Sequence, residues 1–188
     1  MRIFRLTTLL LLLSVLTQAY GQGVPFRSGR CYEIRCVELL QGSVQPSPAD
    51  PLALVHSTSF SGKSALWRIT KQKNGYYTIR HEETGLYMTY DGQRTATRRY
   101  MRLTPDVDGS NSFWRIYPGS AQSVIANVRS NYVLNVRRNS HIVGLYRNPS
   151  STATSNERFV LVDKDGKQVV EMEGKKVNAR LDEHPSGG

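Results

Sequence analysis

The sequence predicts an all-β protein made of three copies of one four-stranded unit. Short alternating apolar runs are separated by Gly, Asn, Asp, Ser and Pro, and no window keeps a helical period over three turns. The aromatic residues of the closing strands, Trp67, Trp114 and Phe159, lie 47 and 45 residues apart. Such a regular spacing is typical of a repeated supersecondary unit, and three units can close into a pseudo-threefold barrel without exposed edges.

The second and third units align strand by strand. One unit alone is too small to bury its apolar face, so we expect Trp67, Trp114 and Phe159 to share one core and not to serve as ligand platforms. The predicted strands are 76–80, 86–90, 99–103 and 113–117 in the second unit, and 123–128, 132–136, 142–146 and 158–162 in the third.

The first unit is the least regular of the three. Its strands are predicted at 32–37, 52–56 and 66–70, with an obscured second strand near Leu39. Gly42 to Pro51 contains three prolines, and proline removes backbone donors from a β-ladder. We expect this stretch to be an inserted loop.

The amino terminus carries a targeting signal. Arg2 and Arg5 precede a short apolar stretch and a small-residue cleavage site, which predicts a signal peptide over residues 1–21. The apolar stretch is shorter than the roughly 20 residues that a membrane-spanning helix needs. The sequence therefore predicts a secreted, extracellular protein without a membrane span.

The carboxyl terminus is predicted to lie outside the main domain, which we place at residues 22–162. Residues 163–188 begin with a strong turn signal at Asp163–Gly166. A hairpin through Val169–Met172 is predicted after the turn, and Arg180–Gly188 is predicted to be a disordered tail.

The two cysteines, Cys31 and Cys36, leave two alternatives open. In an oxidising compartment they could form a local disulfide, which needs a bulge or a turn because an extended strand holds their Cα atoms too far apart. The other alternative is two buried thiols, since free cysteine is a common core residue.

The charge balance favours anionic partners. The chain has 25 basic and 15 acidic residues, and the loss of Arg2 and Arg5 with the signal peptide leaves a net charge of about +8. The four histidines show no metal-ligand spacing and no nucleophile motif accompanies them, so we predict no enzyme, no metal and no cofactor. Nucleic acid is not expected, because no aromatic residues alternate with the arginines.

Several motifs of the second and third units resemble a known family. The segments Tyr77–Arg80, Thr84–Met88, Phe113–Ile116 and Val124–Val136, with Phe159, are similar to repeats of the β-trefoil and, within it, of ricin B-type lectin domains. The resemblance covers about residues 30–162. It implies a β-trefoil of three four-stranded repeats with pseudo-threefold symmetry that binds carbohydrate.

The chain departs from the family at one motif. Family members close each repeat with Gln-x-Trp, whereas Ala65, Ser112 and Glu157 occupy the Gln position here. The departure concerns the lectin assignment and leaves the trefoil prediction intact.

The resemblance implies one sugar site, in the third repeat. The family uses an Asp at the end of the second strand, an aromatic residue at the end of the third and an Asn before the closing strand; these positions hold Asn135, Tyr146 and Asn156. An aromatic face packs on the C–H side of a sugar, and an amide donates to and accepts from its hydroxyls. The alternative is that both asparagines satisfy loop backbone groups and Tyr146 caps the barrel.

The other two repeats are expected to be inactive. The second has Thr89 at the acidic position and Asn111 before its closing strand, without an aromatic residue at the end of its third strand. Asp91 lies nearby, but Asp91–Gly92 is interpreted as turn chemistry. The first repeat offers His56 and Ser64 and no acidic position.

Two groups of arginines add a possible preference for acidic ligands. Arg137 and Arg138, beside Tyr146, suit a sulfated or acidic sugar through bidentate contacts. The alternative is a solvated basic surface. Arg94, Arg98, Arg99 and Arg102 occupy one connection, and Arg129, Arg137, Arg138 and Arg147 flank the third-repeat site.

Three functional hypotheses follow. The first is a secreted protein that binds extracellular glycans, anionic ones included, through Asn135, Tyr146 and Asn156. The second is a β-trefoil protease inhibitor that uses an exposed loop, at Gly42–Pro51 or Asn148–Asn156. The third is a receptor ligand of the growth-factor type with a heparin-binding face.

Overall fold

The protein consists almost wholly of short β-strands, as predicted. A computed structural model describes residues 23–59, 62–119, 122–146, 153–172 and 175–176. The predicted signal peptide and the tail Arg180–Gly188 lie outside the described residues. The first repeat contains β2 (Arg30–Cys36), β3 (Ser43–Pro46), β4 (Leu54–Ser57) and β5 (Leu66–Lys71), the second β6 (Tyr77–His81), β7 (Tyr87–Arg94), β8 (Arg99–Thr104) and β9 (Trp114–Gly119), and the third β10 (Gln122–Asn127), β11 (Val133–Val136), β12 (Ile142–Tyr146) and β13 (Phe159–Asp163).

The first and last strands of each repeat form a closed barrel. β2 pairs with β5, β5 with β6, β6 with β9, β9 with β10, β10 with β13, and β13 returns to β2, all antiparallel. Closure leaves these six strands without a free edge.

The middle strands of each repeat form a hairpin that covers the barrel. The hairpins are β3–β4, β7–β8 and β11–β12. They also contact one another, because β12 pairs with β4 and the Leu103 N–H donates to the Leu52 carbonyl at 2.9 Å. Six barrel strands and three converging hairpins make a β-trefoil, which confirms the predicted fold.

Three large rings lie at the centre of this fold. Trp67, Trp114 and Phe159 are fully buried and belong to one core cluster, as the repeat spacing predicted. The indole N–H of Trp67 donates to the Val44 carbonyl at 2.7 Å, and that of Trp114 to the Met88 carbonyl at 3.1 Å. Each indole therefore also ties its closing strand to the hairpin of its own repeat.

Directly opposite each of the two tryptophans, the first strand of the next repeat carries a polar side chain, and the two different side chains have a similar task. His81 faces Trp67, and Asn127 faces Trp114. His81 Nε2 lies 3.0 Å from the Ser64 carbonyl, and Asn127 Nδ2 donates to the Asn111 carbonyl at 2.8 Å. Both carbonyls belong to a 3-10 turn that precedes a closing strand. The first and second repeats thus share the same contact from a side-chain nitrogen to a 3-10 turn carbonyl, although His81 makes it in one case and Asn127 in the other.

The cysteines are two free thiols, which decides between the two alternatives. Both lie on the continuous strand β2, and an odd separation of five residues directs them to opposite faces. Cys31 donates to the Glu82 carboxylate at 3.2 Å, whereas Cys36 is buried against the Ser155 carbonyl. Burial, followed by the Glu82 hydrogen bond, raises the pKa of Cys31 to about 11.

The prediction for the second strand of the first repeat was wrong. Val37–Leu39 is a 3-10 turn and not a strand, and the expected inserted loop Gly42–Pro51 contains the true second strand, β3. Pro46 is compatible with that strand because β3 lies at the edge of the sheet, pairs with β4 alone and ends at this residue. Ser43 and Val44 are fully buried, so this stretch is not a protruding loop.

The segment after the trefoil packs back on it. The predicted turn forms at Asp163, whose carboxylate accepts the Asp165 and Lys167 N–H groups at 3.0 and 2.8 Å. β14 (Val169–Met172) then makes a hairpin with β15 (Lys175–Lys176) and pairs in parallel with β1 (Val24–Pro25). The buried residues Val169 and Met172 extend the core. Within the described residues, no helix has the length and apolar character needed to cross a membrane.

Replacing Trp114 by Phe removes the donor that satisfies the buried Met88 carbonyl. We expect the free energy of unfolding to fall by about 1–3 kcal/mol, since an orphaned buried acceptor keeps its desolvation penalty. Urea unfolding followed by tryptophan fluorescence or circular dichroism measures the change. Trp67→Phe orphans the Val44 carbonyl and is expected to behave alike; unchanged stability in both variants would contradict the role of the indole N–H.

Stability is expected to fall as the pH drops from 7 toward 5. Burial lowers the pKa of His81 and of His56, with the His141 charge as the second cause at His56. The unfolded chain, with an ordinary histidine pKa of about 6.5, therefore binds protons that the folded chain resists, and stability present above that pH is lost below it. His81→Asn introduces the residue that the third repeat uses at Asn127. Thermal unfolding at pH 7 and pH 5 should show a smaller loss for this variant than for the wild type, and equal losses would contradict the assignment.

Candidate functional site

A concave site lies between the β11–β12 hairpin and the 3-10 turn that precedes β13. Its volume is about 430 Å³. All five residues that the sequence pointed to, three uncharged and two basic, are brought together in its wall. The lining residues are Arg99, Asn135, Arg137, Arg138, Tyr146, Thr154, Asn156 and Glu157.

Tyr146 provides the aromatic surface of the site. It is the last residue of β12, lies opposite Val133 and is 51% exposed. An exposed aromatic ring at a cavity wall presents an apolar face with a hydroxyl at its end. The ring is therefore available to a ligand and does not cap the barrel.

Asn135 lies on the floor of the cavity, opposite Gly144 in the β11–β12 register. Residues directly opposite in an antiparallel pair share a face, so no side chain stands beside the Asn135 amide on the neighbouring strand. Among the described residues, the half-buried Asn135 side chain has no hydrogen-bond partner. Its donors and its acceptor are thus open to a ligand.

Asn156 is partly committed to the fold. Its amide donates to the Val136 carbonyl at 3.3 Å, and its carbonyl oxygen accepts the Thr154 hydroxyl. The expectation that the asparagines satisfy loop groups therefore describes Asn156 and not Asn135. The two bonds fix the orientation of the Asn156 amide at the cavity wall.

The two predicted arginines differ in their pairing. Arg138 forms an ion pair with Glu38, so much of its charge is matched within the protein. Arg137 lies exposed at the start of the β11–β12 turn and has no ion pair among the described residues. Arg137 is consequently the better placed of the two to meet an anionic group.

Sequence reasoning missed three lining residues. Thr154 and Glu157 form a capping box, in which the Thr154 N–H donates to the Glu157 carboxylate at 3.0 Å. The spacing Thr-x-x-Glu is a known helix-start signal and predicts this turn. Arg99 comes from the second repeat, and no local pattern indicates its place in the third-repeat site.

Gly144 explains how Arg99 reaches the site. A Cβ atom on Gly144 would lie 2.5 Å from Arg99 Cβ and 2.9 Å from its carbonyl oxygen. Only a residue without a side chain lets the start of β8 approach β12 so closely. The cavity is therefore built from two repeats.

The second repeat is organised differently at the matching place. Thr89 is buried, and its hydroxyl lies 2.7 Å from that of Thr104 and 2.8 Å from that of Ser112. Its polar atom is therefore used inside the protein. The Asp91 carboxylate accepts the Gln93 N–H at 3.0 Å, and the next residue, Gly92, has φ 70°. Both lie within β7, where the register shifts between Tyr90 and Arg94, and not in the predicted turn. A smaller cavity of about 230 Å³ nearby is lined by Tyr90, Asp91, Gln93, Arg102, Asp108 and Asn111.

Among the described residues of the first repeat, no comparable set of side chains is present. His56 is buried in the core region, and the Ser64 carbonyl is engaged by His81. Across the described residues, no group of three or more His, Cys, Asp and Glu side chains is arranged to hold a metal ion.

Comparison with known proteins agrees with this architecture. The family described as ricin-type β-trefoil lectin domain-like matches residues 63–146, which span the second repeat and most of the third. No curated protein matches the chain by sequence.

Solved structures match the fold over most of the chain. The ricin B-like lectin of Macrolepiota procera in complex with lactose is 18% identical, with a TM-score of 0.60, over 74% of this chain and 99% of the lectin. The designed threefold-symmetric protein ThreeFoil is 18% identical, with a TM-score of 0.60, over 71% of this chain and 98% of the design. The Polyporus squamosus lectin bound to Neu5Acα2-6Galβ1-4GlcNAc is 18% identical, with a TM-score of 0.61, over 73% of this chain and 50% of the lectin.

The fold, the family match and the structural relatives define the class of protein. The chain is a β-trefoil that resembles the ricin B-type lectins, in a divergent form that does not retain the Gln-x-Trp motifs. Ser112 and Glu157, at the Gln position of the second and third repeats, instead bind the Asp108 and Thr154 N–H groups of the 3-10 turns.

Replacing Gly144 by Ala should strain the contact between the two repeats. We expect a loss of about 1–3 kcal/mol in the free energy of unfolding, because the new methyl group overlaps Arg99. Urea unfolding measures the loss. The double variant Gly144→Ala with Arg99→Gly should be more stable than the sum of the single losses predicts, whereas additive losses would place the strain elsewhere.

Proposed function

We propose that this chain is a secreted carbohydrate-binding protein whose glycan site is the third-repeat cavity, with a preference for acidic glycans. One observation supports the location above all others. The residues Asn135, Tyr146 and Asn156, from two strands and the turn before the closing strand of the third repeat, line one cavity with the ring of Tyr146 half exposed.

The chemistry of the cavity suits a sugar ring. The apolar C–H face of a pyranose packs on Tyr146, while its hydroxyls exchange hydrogen bonds with the open amide of Asn135. Asn156, held by Val136 and Thr154, adds a donor of fixed direction. An amide in place of a carboxylate removes a charge-assisted acceptor, so we expect affinity for neutral sugars to be weak.

Binding is favoured over hydrolysis. Glycoside hydrolysis generally uses two carboxyl groups, one on each side of the scissile bond. Glu157 is the one acidic residue among those described in the cavity wall, and it is buried with its carboxylate on the Thr154 N–H. This arrangement supports a binding protein that is not an enzyme.

Secretion and the preference for acidic ligands rest on charge and on the amino terminus. The apolar stretch after Arg2 and Arg5 has the features of a signal peptide, and a secreted protein meets extracellular glycans. A strongly basic chain attracts anionic ligands, and Arg137 and Arg138 line the site.

One of the two loops proposed for the protease-inhibitor alternative is partly a β-strand. The stretch Gly42–Pro51 contains the buried strand β3, and residues 148–152 of the other loop lie outside the described residues. The third-repeat cavity with its exposed aromatic ring favours glycan binding over this alternative.

Tyr146→Ala should weaken binding to glycans. Loss of the stacking surface removes the largest apolar contact of the site, and we expect affinity to fall by roughly tenfold or more. A glycan array followed by titration calorimetry on the best glycan measures the effect. Tyr117→Ala is the matched control, because Tyr117 is 37% exposed on β9, away from the cavity, and should leave affinity unchanged. Binding to no glycan by the wild type, or equal affinity of both variants, would refute the proposed site.

A further inference from the structure

We propose that Arg94, Arg99 and Arg137 form an anion subsite beside Tyr146, which recognises a sulfate or carboxylate carried by the bound glycan. This inference rests on the proposed function and deepens it. It assigns the choice of an acidic substituent to residues of two different repeats, separate from those that hold the sugar ring.

Arg137 of the third repeat lies near Arg94 and Arg99 of the second. Arg94 and Arg99 stand directly opposite one another in the β7–β8 register, and Arg99 and Arg137 line the same cavity. Like charges directly opposite on paired strands are destabilising. Since Arg99 lines the cavity, an anionic ligand bound there can offset the repulsion between the two guanidinium groups.

The close approach at Gly144 fixes Arg99 in this position. Gly144 lies opposite Asn135. The Cβ atom and backbone of Arg99 fill the space that a side chain at Gly144 would occupy. Arg99 therefore lies next to the cavity floor, at the side of the sugar site that faces the second repeat. A substituent on a sugar stacked on Tyr146 can reach it.

Charge compensation separates this cluster from the neighbouring arginines. In the β7–β8 hairpin, the Arg98 guanidinium lies 3.6 Å from the Asp50 carboxylate and 3.8 Å from the Asp91 carboxylate. Arg138 pairs with Glu38. Within the part of the chain that the structure describes, Arg94, Arg99 and Arg137 have no such acidic partner. Arg98 and Arg138 are thus paired within the protein, whereas the charges of Arg94, Arg99 and Arg137 beside the cavity are open to a ligand.

The electrostatic surroundings of Arg99 agree with an anion site. Burial, followed by the charges of Arg94 and Arg137, lowers the pKa of Arg99, so its charged form is disfavoured where it stands. Glu157 lines the same cavity, but its carboxylate binds the Thr154 N–H. An anion between the guanidinium groups would offset both the desolvation and the repulsion.

Guanidinium groups define the ligand chemistry. A planar fork of N–H donors matches the paired oxygens of a sulfate or a carboxylate, and such charge-assisted bonds are about twice as strong as neutral ones. Loss of one charged hydrogen bond corresponds to roughly a 10- to 100-fold weaker affinity. A neutral glycan makes no use of this contact.

The test compares matched probes. Titration calorimetry at fixed ionic strength uses 3′-sulfated, 3′-sialylated and unsubstituted N-acetyllactosamine with the wild type, Arg99→Gln and Arg102→Gln. Arg102 is the control, since it lies exposed on the same strand, lines the smaller second-repeat cavity and carries the same charge. Sulfate and sialic acid distinguish the two sources of the anion.

We expect Arg99→Gln to bind at least one acidic probe roughly 10- to 100-fold more weakly and the neutral probe unchanged, with Arg102→Gln within about twofold of the wild type. Equal loss for neutral and acidic probes, or equal loss in both variants, would overturn the subsite. Tyr146→Ala weakens binding of all three probes, the neutral one included, if the sugar site itself is correct, so the two proposals fail by different results.

A second measurement does not depend on sugar. Inorganic sulfate stabilises proteins in general by exclusion from their surface, so the quantity compared is the difference between variants. Sodium sulfate should raise the Tm of the wild type and of Arg102→Gln more than that of Arg99→Gln at matched ionic strength. Identical shifts in all three proteins would contradict an anion subsite.

Discussion

Burial of three large rings at one centre is the constraint on which the rest of this structure depends. Trp67, Trp114 and Phe159 come from the last strand of each repeat, and no single repeat has enough surface to bury its own ring. The closing strands must therefore meet, and their first-strand partners complete the barrel between them. Everything outside the barrel, the hairpins and the 3-10 turns, is positioned by that meeting.

The repeats keep their interactions while they exchange residues. His81 and Asn127 face the rings of the preceding repeats, and each bonds a carbonyl of the 3-10 turn before a closing strand. A ring nitrogen and an amide nitrogen can both donate to a carbonyl, so the backbone path is preserved when the side chain changes. Sequence similarity between the repeats is consequently weak where their geometry is the same.

The fold was largely predictable because alternation and aromatic spacing are local properties of the chain. Strand positions in the second and third repeats, the common core and the turn at Asp163 all followed from such patterns. Prediction was wrong at Gly42–Pro51, where proline suggested a loop. Proline lacks an N–H donor, so it is excluded from central strands but tolerated in edge strands. The edge position of β3 is a tertiary property that the sequence does not display.

The candidate site was predictable in part for the same reason. Asn135, Tyr146 and Asn156 occupy strand and turn ends of one repeat, so a repeat-based argument brings them together. Arg99 belongs to another repeat, and only the packing of β8 over Gly144 places it there. Because Arg99 of the second repeat lines this cavity, the second repeat influences which ligands the third-repeat site can bind. It does so although its own Thr89 is buried. Repeats of one fold can in this way take different roles. A substitution in one repeat can change ligand binding at the site of its neighbour without any change in the neighbour's own residues.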